Sequence, residues 1–304
     1  MDPKAAGRFA PSPTGPFHLG SLVAAVGSWL FARAAGGSWL LRMEDLDNAR
    51  VVRGSADEIR RALSRFGLEP DGDVVFQSRR TGRYEEVLRT LKEKGLVYPC
   101  GCTRAELVRV ASAPAPGDPE DPVRIYPGTC AHGLPDGRPA RAFRFRAPEA
   151  PIAWEDRLFG RQEESVARSV GDFVVRRADG PFAYQLAVVV DDADQGITDV
   201  VRGSDLITST GRQIALQRAL HFPTPAYTHL PLVLGPDGTK LGKRHGALPL
   251  ATLGESQVRR MLALALAILG QQPPDGTPRE MLEEAARRFT PQAIPRTPHR
   301  ISGL

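Results

Sequence analysis

The sequence predicts an α/β protein in which a parallel sheet is interrupted by a loop-rich insertion and followed by a short helical segment. Three observations predict it. Over the first hundred residues, short apolar segments alternate with segments of helical spacing, the order that lays strands side by side in parallel. Cysteines and prolines then concentrate between residues 100 and 130, a composition that favours loops. Beyond residue 246, helical spacing prevails.

The composition is that of a folded, globular protein. A chain of 304 residues suggests roughly two domains, and 41% hydrophobic with 25% charged residues excludes long disorder. The net charge of +5 fits a polyanionic partner. Three cysteines cannot all pair, which disfavours a disulfide scaffold and favours a metal site or free thiols. With no signal-peptide pattern and no apolar run of the ~20 residues that span a bilayer, we expect a cytoplasmic protein without a membrane partner.

The elements of the first hundred residues follow in alternating order. The predicted strands are Gly7–Ala10, Ser38–Met43 and Val74–Phe76, and the predicted helices are Gly20–Ala35, Ser55–Phe66 and Tyr84–Lys94. The first strand leads into a loop rich in proline and glycine before the first helix begins. α/β proteins place nucleotide phosphates at such a point, because a helix N-terminus presents unpaired N–H groups.

The remaining elements are an insertion and a return to helical spacing. Within the insertion, Asp172–Arg177 and Phe182–Val190 flank a turn at Ala178–Gly180 and predict a hairpin. Alternating charged and aromatic residues over Arg141–Arg146 predict a strand with one solvated face, and fit contacts with RNA equally well. Helical spacing resumes at Leu206–Leu220 and, after Gly246, at Ser256–Leu269 and Arg279–Phe289.

The loop after the first strand carries the first chemical signal. It reads Arg8-Phe9-Ala10-Pro11-Ser12-Pro13-Thr14-Gly15 and is followed by His18-Leu19-Gly20-Ser21. Gly20 lets a ring or another backbone approach closely, and the helix N-terminus offers its positive dipole end to phosphate. Taken alone, His18 is more often a hydrogen-bonded structural histidine.

The second signal is a basic turn more than 200 residues later. It reads Lys240-Leu241-Gly242-Lys243-Arg244. Its positive charges suit the charge that develops on a triphosphate, although a basic turn by itself is usually a solvated loop. In this order, the two signals resemble the paired signature sequences of class I aminoacyl-tRNA synthetases. The string from Arg8 to Gly15 resembles the glutamyl-tRNA synthetase branch.

That resemblance covers about residues 7 to 250 and implies a Rossmann-type catalytic domain that binds ATP and L-glutamate. Around the amino acid it places Arg8, Phe9, Ala10, Pro11, Ser12, Glu44, Tyr184 and Arg202, and around ATP it places His18, Gly20, Ser21, Lys240 and Lys243. Glu44 suits the ammonium of an acidic amino acid, and Arg8 and Arg202 suit its two carboxylates. His18 and Lys243 take the catalytic role of stabilising charge on phosphorus, with Mg²⁺ accompanying ATP.

Two positions depart from the signatures of the family. Ser21 stands where a second histidine is usual, and Gly242 stands where the second motif usually has serine. A hydroxyl donates a hydrogen bond to phosphate but cannot carry a positive charge, so Ser21 weakens the expected stabilisation of the transition state. These departures leave open a tRNA-binding protein that has lost catalysis.

The cysteines form the third signal. Cys100 and Cys102 are followed after 27 residues by Cys130, and three thiolates suit zinc, which prefers four ligands. His132 is the chemically usual fourth ligand, whereas the resemblance implies Tyr126, four residues before the last cysteine. We expect one structural Zn²⁺ per chain, held by Cys100, Cys102, Tyr126 and Cys130. Three unrelated reduced cysteines are the alternative.

The resemblance also suggests how the chain is divided. The expected parts are residues 1–99, the first half of the catalytic domain; 100–190, the zinc-bearing insertion; 191–246, the second half; and 247–304, a helical segment of the kind that contacts the tRNA stem. The 60 residues after Arg244 are too few for the anticodon-binding domain of a complete glutamyl-tRNA synthetase.

The chain therefore resembles truncated paralogues that transfer glutamate to queuosine at the wobble position of tRNA(Asp). The resemblance implies ATP, L-glutamate and that anticodon loop as partners, and we expect a monomer. The alternative is a shortened synthetase that charges the acceptor end of a tRNA.

Overall fold

The computed structural model describes residues 5–103, 105–107, 125–135, 137–241 and 250–301, so Gly242 and Lys243 lie outside the described residues. The strands are β1 Ala6–Phe9, β2 Ser38–Met43, β3 Val75–Phe76, β4 Val97–Cys100, β5 Ala142–Phe145, β6 Ile152–Asp156, β7 Gly160–Glu164, β8 Phe173–Arg176, β9 Asp199–Gly203, β10 Ala226–Leu230, β11 Val233–Leu234 and β12 His299–Arg300. The α-helices are α1 Leu19–Ala34, α2 Ser55–Arg65, α3 Thr81–Glu93, α4 Val166–Ser169, α5 Tyr184–Asp194, α6 Thr210–Leu220, α7 Glu255–Ile268 and α8 Pro278–Arg287. In the described part of the chain, no helix has the length and hydropathy needed to cross a membrane.

The centre of the fold is a seven-stranded sheet in the order β3-β2-β1-β9-β10-β6-β7. Neighbouring strands from β3 to β6 run parallel, and β7 pairs antiparallel with β6 at the edge. The predicted α/β class with a mostly parallel sheet is therefore confirmed. Because β1 lies between β2 and β9, the carboxyl ends of strands far apart in sequence meet at one edge of the sheet.

Helix α1 packs against this sheet, with Gly27 facing the Leu230 side chain. An added Cβ on Gly27 would lie 2.4 Å from Cδ1 of Leu230, which belongs to β10. Glycine is therefore the residue that permits this approach of helix and strand. The packing brings the N-terminus of α1, beginning after His18, to the same cavity that the carboxyl ends of β1 and β9 line.

The insertion builds a second, three-stranded antiparallel sheet in the order β4-β5-β8. Strands β6 and β7 come from the same stretch of sequence but extend the main sheet, where Tyr227 of β10 pairs with Asp156 of β6. The domain boundaries at residues 99, 190 and 246 stay predictions. The pairing of β6 does, however, bring Asp156 into the interior of the main sheet.

The second arm of the predicted hairpin is wrong, because Tyr184–Asp194 forms helix α5. The turn itself exists, since Arg176 and Phe182 form an antiparallel bridge across it. The following run Leu186–Val190 is buried at every position. A helix that is buried on several sides has a continuous apolar run instead of the one-sided apolar stripe that identifies a helix in a sequence. Valines are also enriched in strands, so this run was predicted as a strand.

Strand β5 is more deeply buried than its alternating sequence predicts. Arg144 and Phe145 are buried within the small sheet, while Arg141 and Arg146 at its two ends are exposed. Arg144 and Phe145 are therefore not available for contacts with RNA.

Candidate active site and metal centre

A cavity of about 950 Å³ opens where the strand ends of the main sheet meet the N-terminus of α1. It is lined by every described residue that the sequence analysis assigned to the amino acid or to ATP: Arg8, Phe9, Ala10, Pro11, Ser12, His18, Gly20, Ser21, Glu44, Tyr184, Arg202 and Lys240. These residues come from segments that are up to 232 positions apart, from 8 to 240. Their individual roles stay predictions.

A buried network of opposite charges lies beside the cavity and reaches its lining through Arg8 and Glu44. The Arg42 guanidinium lies 2.8 Å from a carboxylate oxygen of Asp192, and Arg8 Nε lies 3.1 Å from the same oxygen. Arg42 also lies 3.7 Å from both Glu44 and Asp191. The charge of Arg8 is thus already matched within the protein. Asp192 and Arg42 were not predicted as site residues, because neither lies in a signature sequence.

Glu44 has a carboxylate oxygen that is ready for a ligand. Its side chain is 10% exposed, and within the described structure its buried Oε1 has no hydrogen-bond partner. Burial raises the pKa of Glu44 to about 7, an effect that the nearby Arg42 and Arg8 only partly offset. A buried acceptor without a donor is costly, and an ammonium group entering the cavity would supply both the donor and the charge.

Arg202 is a buried cation whose charge is not matched in the same way. Among the described residues, no ion pair joins Arg202 to a carboxylate, although its side chain is almost fully buried. The guanidinium N–H groups point at neutral acceptors: His229 Nε2 at 3.1 Å, Gln213 Oε1 at 2.7 Å, Thr210 Oγ1 at 2.9 Å, Leu206 O at 3.3 Å and Tyr184 Oη at 3.4 Å. An anionic group of a ligand would supply the missing negative charge by replacing the two longest of these contacts.

The N-terminus of α1 holds His18 as a neutral side chain. His18 is the N-cap of the helix, and its Nδ1 accepts the backbone N–H of Ser21 at 3.3 Å. The Ser21 hydroxyl lies 3.4 Å from Nε2 of the same ring. Burial and the charge of Lys240 lower the pKa of His18 to about 4. His18 therefore faces the cavity as a hydrogen-bonding group rather than as a cation at neutral pH.

The described end of the basic turn contributes one cation to the cavity. Lys240 pairs through Nζ with Asp205, which also lines the cavity, and the lysine side chain is 57% exposed. Gly20, the second residue of α1, leaves room beside the His18 ring, because an added Cβ would lie only 3.3 Å from that ring. Together with the helix N-terminus, these groups form a surface suited to an anionic phosphate chain.

The three cysteines converge on one point in the insertion. The Sγ atoms of Cys100, Cys102 and Cys130 all lie within 4.8 Å of one another, and Cys102 and Cys130 are 3.7 Å apart. Thiolates on a tetrahedral Zn²⁺ with bonds of about 2.3 Å are separated by about 3.8 Å. The donor set and its spacing therefore fit a metal of this kind.

Tyr126 completes the ring of donors around that point. Its Oη lies 3.6 Å from Cys100 Sγ and 3.9 Å from Cys102 Sγ, and it accepts the backbone N–H of Cys130 at 2.8 Å. His132 is exposed and is not part of the described cluster. The geometry therefore favours Tyr126 over His132 as the fourth group, while the identity of the metal stays a prediction.

The buried Arg144 acts on this cluster and not on RNA. Its Nε lies 3.3 Å from Cys100 Sγ, and its guanidinium lies over the Tyr126 ring at 3.7 Å. Burial of Cys100 opposes ionisation, but hydrogen bonds from Arg144 and Tyr126 outweigh it and lower the pKa of the thiol. Arg144 thus favours the thiolate, the form in which cysteine binds a metal.

Comparison with known proteins agrees with this geometry. The chain matches the family model described as tRNA synthetases class I (E and Q), catalytic domain, over residues 4–292. It is 53% identical over 300 residues to a glutamyl-Q tRNA(Asp) synthetase from Geobacter sulfurreducens, covering 96% of this chain and 94% of the relative. It is 52% identical over 303 residues to the protein of the same name from Thiobacillus denitrificans, covering 98% of both.

A solved structure shares the fold. The crystal structure of a glutamate tRNA ligase from Elizabethkingia meningosepticum, in complex with its amino acid, superposes with a TM-score of 0.80 at 27% identity. The similarity covers 99% of this chain and 68% of that one.

Proposed function

Because the chain belongs to the class I tRNA synthetases for glutamate and glutamine (E and Q), we propose that its cavity activates L-glutamate with ATP and transfers it to queuosine of tRNA(Asp). In the first step, a carboxylate oxygen of glutamate attacks the α-phosphorus, glutamyl-adenylate forms and pyrophosphate leaves. In the second, a hydroxyl of the queuosine cyclopentenediol attacks the acyl carbon and AMP leaves. The relatives named glutamyl-Q tRNA(Asp) synthetase, similar over almost the full chain, support this acceptor.

The observation that carries the choice of glutamate is a pair of groups in the cavity that lack a complementary partner, one cationic and one an acceptor oxygen. Arg202 offers a buried positive charge without a carboxylate partner among the described residues, and Glu44 offers a buried oxygen without a donor. An amino acid with a side-chain carboxylate and an α-ammonium supplies one partner to each. We assign the side-chain carboxylate to Arg202 and the ammonium to Glu44, with Tyr184 beside Arg202.

The N-terminus of α1 and the basic turn bind the phosphates of ATP. His18, neutral at pH 7, accepts the Ser21 N–H at Nδ1 and so carries its proton on Nε2, which donates a hydrogen bond to the α-phosphate, and Ser21 adds a hydroxyl beside it. Lys240 and, from the sequence, Lys243 supply positive charge to the triphosphate. Mg²⁺ bound with ATP would add charge neutralisation of the same kind. Catalysis here is positioning and electrostatics.

We propose a cytoplasmic location, because ATP and tRNA are available there. We also propose a monomer, because the groups suited to the amino acid and those suited to ATP line one cavity within a single chain. We assign Zn²⁺ to the cysteine cluster as a structural brace, because Tyr126 closes the fourth position and leaves none open for substrate.

Two assays test the two steps separately. Exchange of pyrophosphate into ATP should depend on glutamate and proceed without tRNA if the cavity activates the amino acid. Transfer of radiolabelled glutamate should then require queuosine in tRNA(Asp) and survive removal of the 3′-terminal adenosine, which leaves queuosine intact. Label that appears only on untreated tRNA, regardless of queuosine, would make the chain an acceptor-end synthetase. Absence of exchange with intact tRNA binding would make it a binding protein.

A further inference from the structure

Behind the cavity, a buried chain of three side chains runs from Asp156 in β6, across His229 in β10, to Arg202 in β9. Asp156, in β6, places Oδ2 2.6 Å from Nδ1 of His229. His229, in β10, lies directly opposite Arg202 of β9 in the sheet register and receives its Nε–H at 3.1 Å. The side chains of Asp156 and His229 have no exposed surface, so neither touches a substrate.

The partners of the imidazole fix where its proton lies. Nε2 faces two groups that can donate, Arg202 Nε at 3.1 Å and the Thr210 hydroxyl at 3.4 Å, so this nitrogen acts as the acceptor. Nδ1 faces only a carboxylate oxygen among the described residues and therefore carries the proton. Burial and the neighbouring Arg202 lower the pKa of His229 against the opposing effect of Asp156, which keeps the ring neutral.

The carboxylate of Asp156 is held by groups other than Arg202. Oδ1 accepts the backbone N–H groups of Leu158 at 3.0 Å and Phe159 at 2.9 Å, which fixes the side chain in place. The neutral ring stands between this carboxylate and the guanidinium. Arg202 is consequently oriented by Asp156 without being paired with it, and its charge stays available to a ligand.

We propose that Asp156 and His229 are positioning residues that orient Arg202 for the side-chain carboxylate of the substrate. Asp156 sets the tautomer of His229, and His229 in turn accepts the Nε–H of Arg202, which aims the terminal nitrogens at the cavity. This inference rests on the proposed function, because it takes Arg202 as the carboxylate-binding group. Hydrogen-bonded supports of this kind hold a functional side chain in its productive geometry.

Two substitutions of the histidine test the support. His229→Leu removes the acceptor and should raise the KM for glutamate about 10- to 100-fold in pyrophosphate exchange, with the KM for ATP within about threefold of wild type. His229→Gln keeps an amide oxygen near the position of Nε2 and should restore most of the glutamate affinity. A purely structural histidine predicts equal losses for both substrates and no rescue by glutamine.

Substitution of the aspartate tests the tautomer. In Asp156→Asn, the backbone N–H groups of Leu158 and Phe159 keep the amide oxygen, so the amide NH₂ faces Nδ1. The ring then carries its proton on Nε2, so two N–H donors face each other and the hydrogen bond from Arg202 is lost. The KM for glutamate should therefore again rise about 10- to 100-fold. In a His229→Gln background there is no tautomer to reverse, so Asp156→Asn should cost much less. Additive effects of the two changes would overturn the proposal.

The controls separate this proposal from the proposed function and from misfolding. Ser28→Ala removes a buried hydrogen bond to Trp39 Nε1 at 2.9 Å, outside the cavity, and should leave both KM values unchanged. Thermal melts show which variants are folded, and the histidine pair still tests the proposal if Asp156→Asn does not fold. If the wild-type chain shows no glutamate-dependent exchange, the proposed function fails. If wild-type exchange is robust and the variants keep their glutamate KM, only the positioning proposal fails.

Discussion

At the scale of single residues, the charges of the cavity divide into matched and unmatched groups. Arg8 and Arg42 share Asp192, whereas Arg202 is bound by neutral acceptors and Glu44 keeps one oxygen without a donor. Burying an unmatched charge is destabilising, and such an arrangement is retained where a ligand supplies the partner. This division singles out Arg202 and Glu44 as the residues whose substitution should affect substrate affinity most.

Arg202→Ala should raise the KM for glutamate about 100-fold or more and change the KM for ATP by less than about threefold. The reason is that two charge-assisted hydrogen bonds to the substrate carboxylate are lost, while the phosphate groups of the site are untouched. Steady-state pyrophosphate exchange measures both constants. Arg60→Ala, an exposed arginine of α2, is the matched control and should behave as wild type. Equal losses for the two substrates would indicate misfolding instead.

Glu44→Gln should stabilise the protein at high pH. The folded-state pKa of about 7 lies above the ordinary value of 4.5, so the contribution of Glu44 to stability is complete below 4.5 and is lost as pH rises through about 7. Relative to wild type, the glutamine variant should therefore gain about 1–3 kcal/mol in free energy of unfolding between pH 4.5 and pH 8. Urea unfolding at several pH values measures this difference.

The same substitution should weaken glutamate activation, because a neutral amide cannot balance the substrate ammonium. In the wild-type protein, kcat/KM for glutamate should fall as pH drops below about 7, and the variant should lack this dependence. A variant that is neither more stable at pH 8 nor less active on glutamate would contradict the role assigned to Glu44.

At the scale of elements, helix α1 is held by apolar side chains buried in the main core, and Gly27 allows it to pack against Leu230. Gly27 permits contact with Leu230, and that contact sets where the N-terminus and His18 lie relative to the sheet. Sequence spacing predicted the helix within one residue at each end. It did not predict this contact, because a glycine within a helical sequence does not indicate which strand packs against it.

Gly27→Ala should destabilise the fold by about 1–2 kcal/mol, because overpacking against Leu230 outweighs the gain in helix propensity. Gly82→Ala in α3, where an added Cβ meets nothing within 4 Å, is the matched control and should stabilise by about 0.5–1 kcal/mol. Chemical denaturation gives both values. Stabilisation by both substitutions would show that α1 can move away from β10 at little cost.

The cysteine cluster of the insertion should retain the proposed zinc only while its four donors are intact. Tyr126→Phe should lower zinc affinity about 10- to 100-fold, Cys130→Ala should abolish zinc binding, and His132→Ala should leave it unchanged, because only the histidine lies apart from the thiols. Metal analysis after dialysis against a chelator measures retention. Loss of zinc from the His132 variant, with retention by the Tyr126 variant, would reverse the assignment of the fourth ligand.

At the scale of the whole molecule, the sequence predicts the cavity residues that lie in signature motifs. It does not predict the residues that only strand pairing brings together. Short strings that identify the family contain Arg8, Glu44, Tyr184 and Arg202, so the resemblance assigned these residues to one site from the sequence alone. His229 is one histidine within an apolar strand. Only the pairing of β6, β10 and β9 brings it between its two partners. Helix α5 was missed for a related reason, since burial on several sides removes the periodicity that distinguishes helix from strand.

The most direct test of the central claim is to locate the added glutamate on tRNA(Asp). After incubation with ATP, glutamate and the protein, nuclease fragments of tRNA(Asp) with and without queuosine are analysed by mass spectrometry. The account predicts the mass of one glutamyl residue on the anticodon fragment, only when queuosine is present, and greatly reduced in Arg202→Ala at low glutamate. A glutamyl group on the 3′-terminal fragment, independent of queuosine, would contradict it.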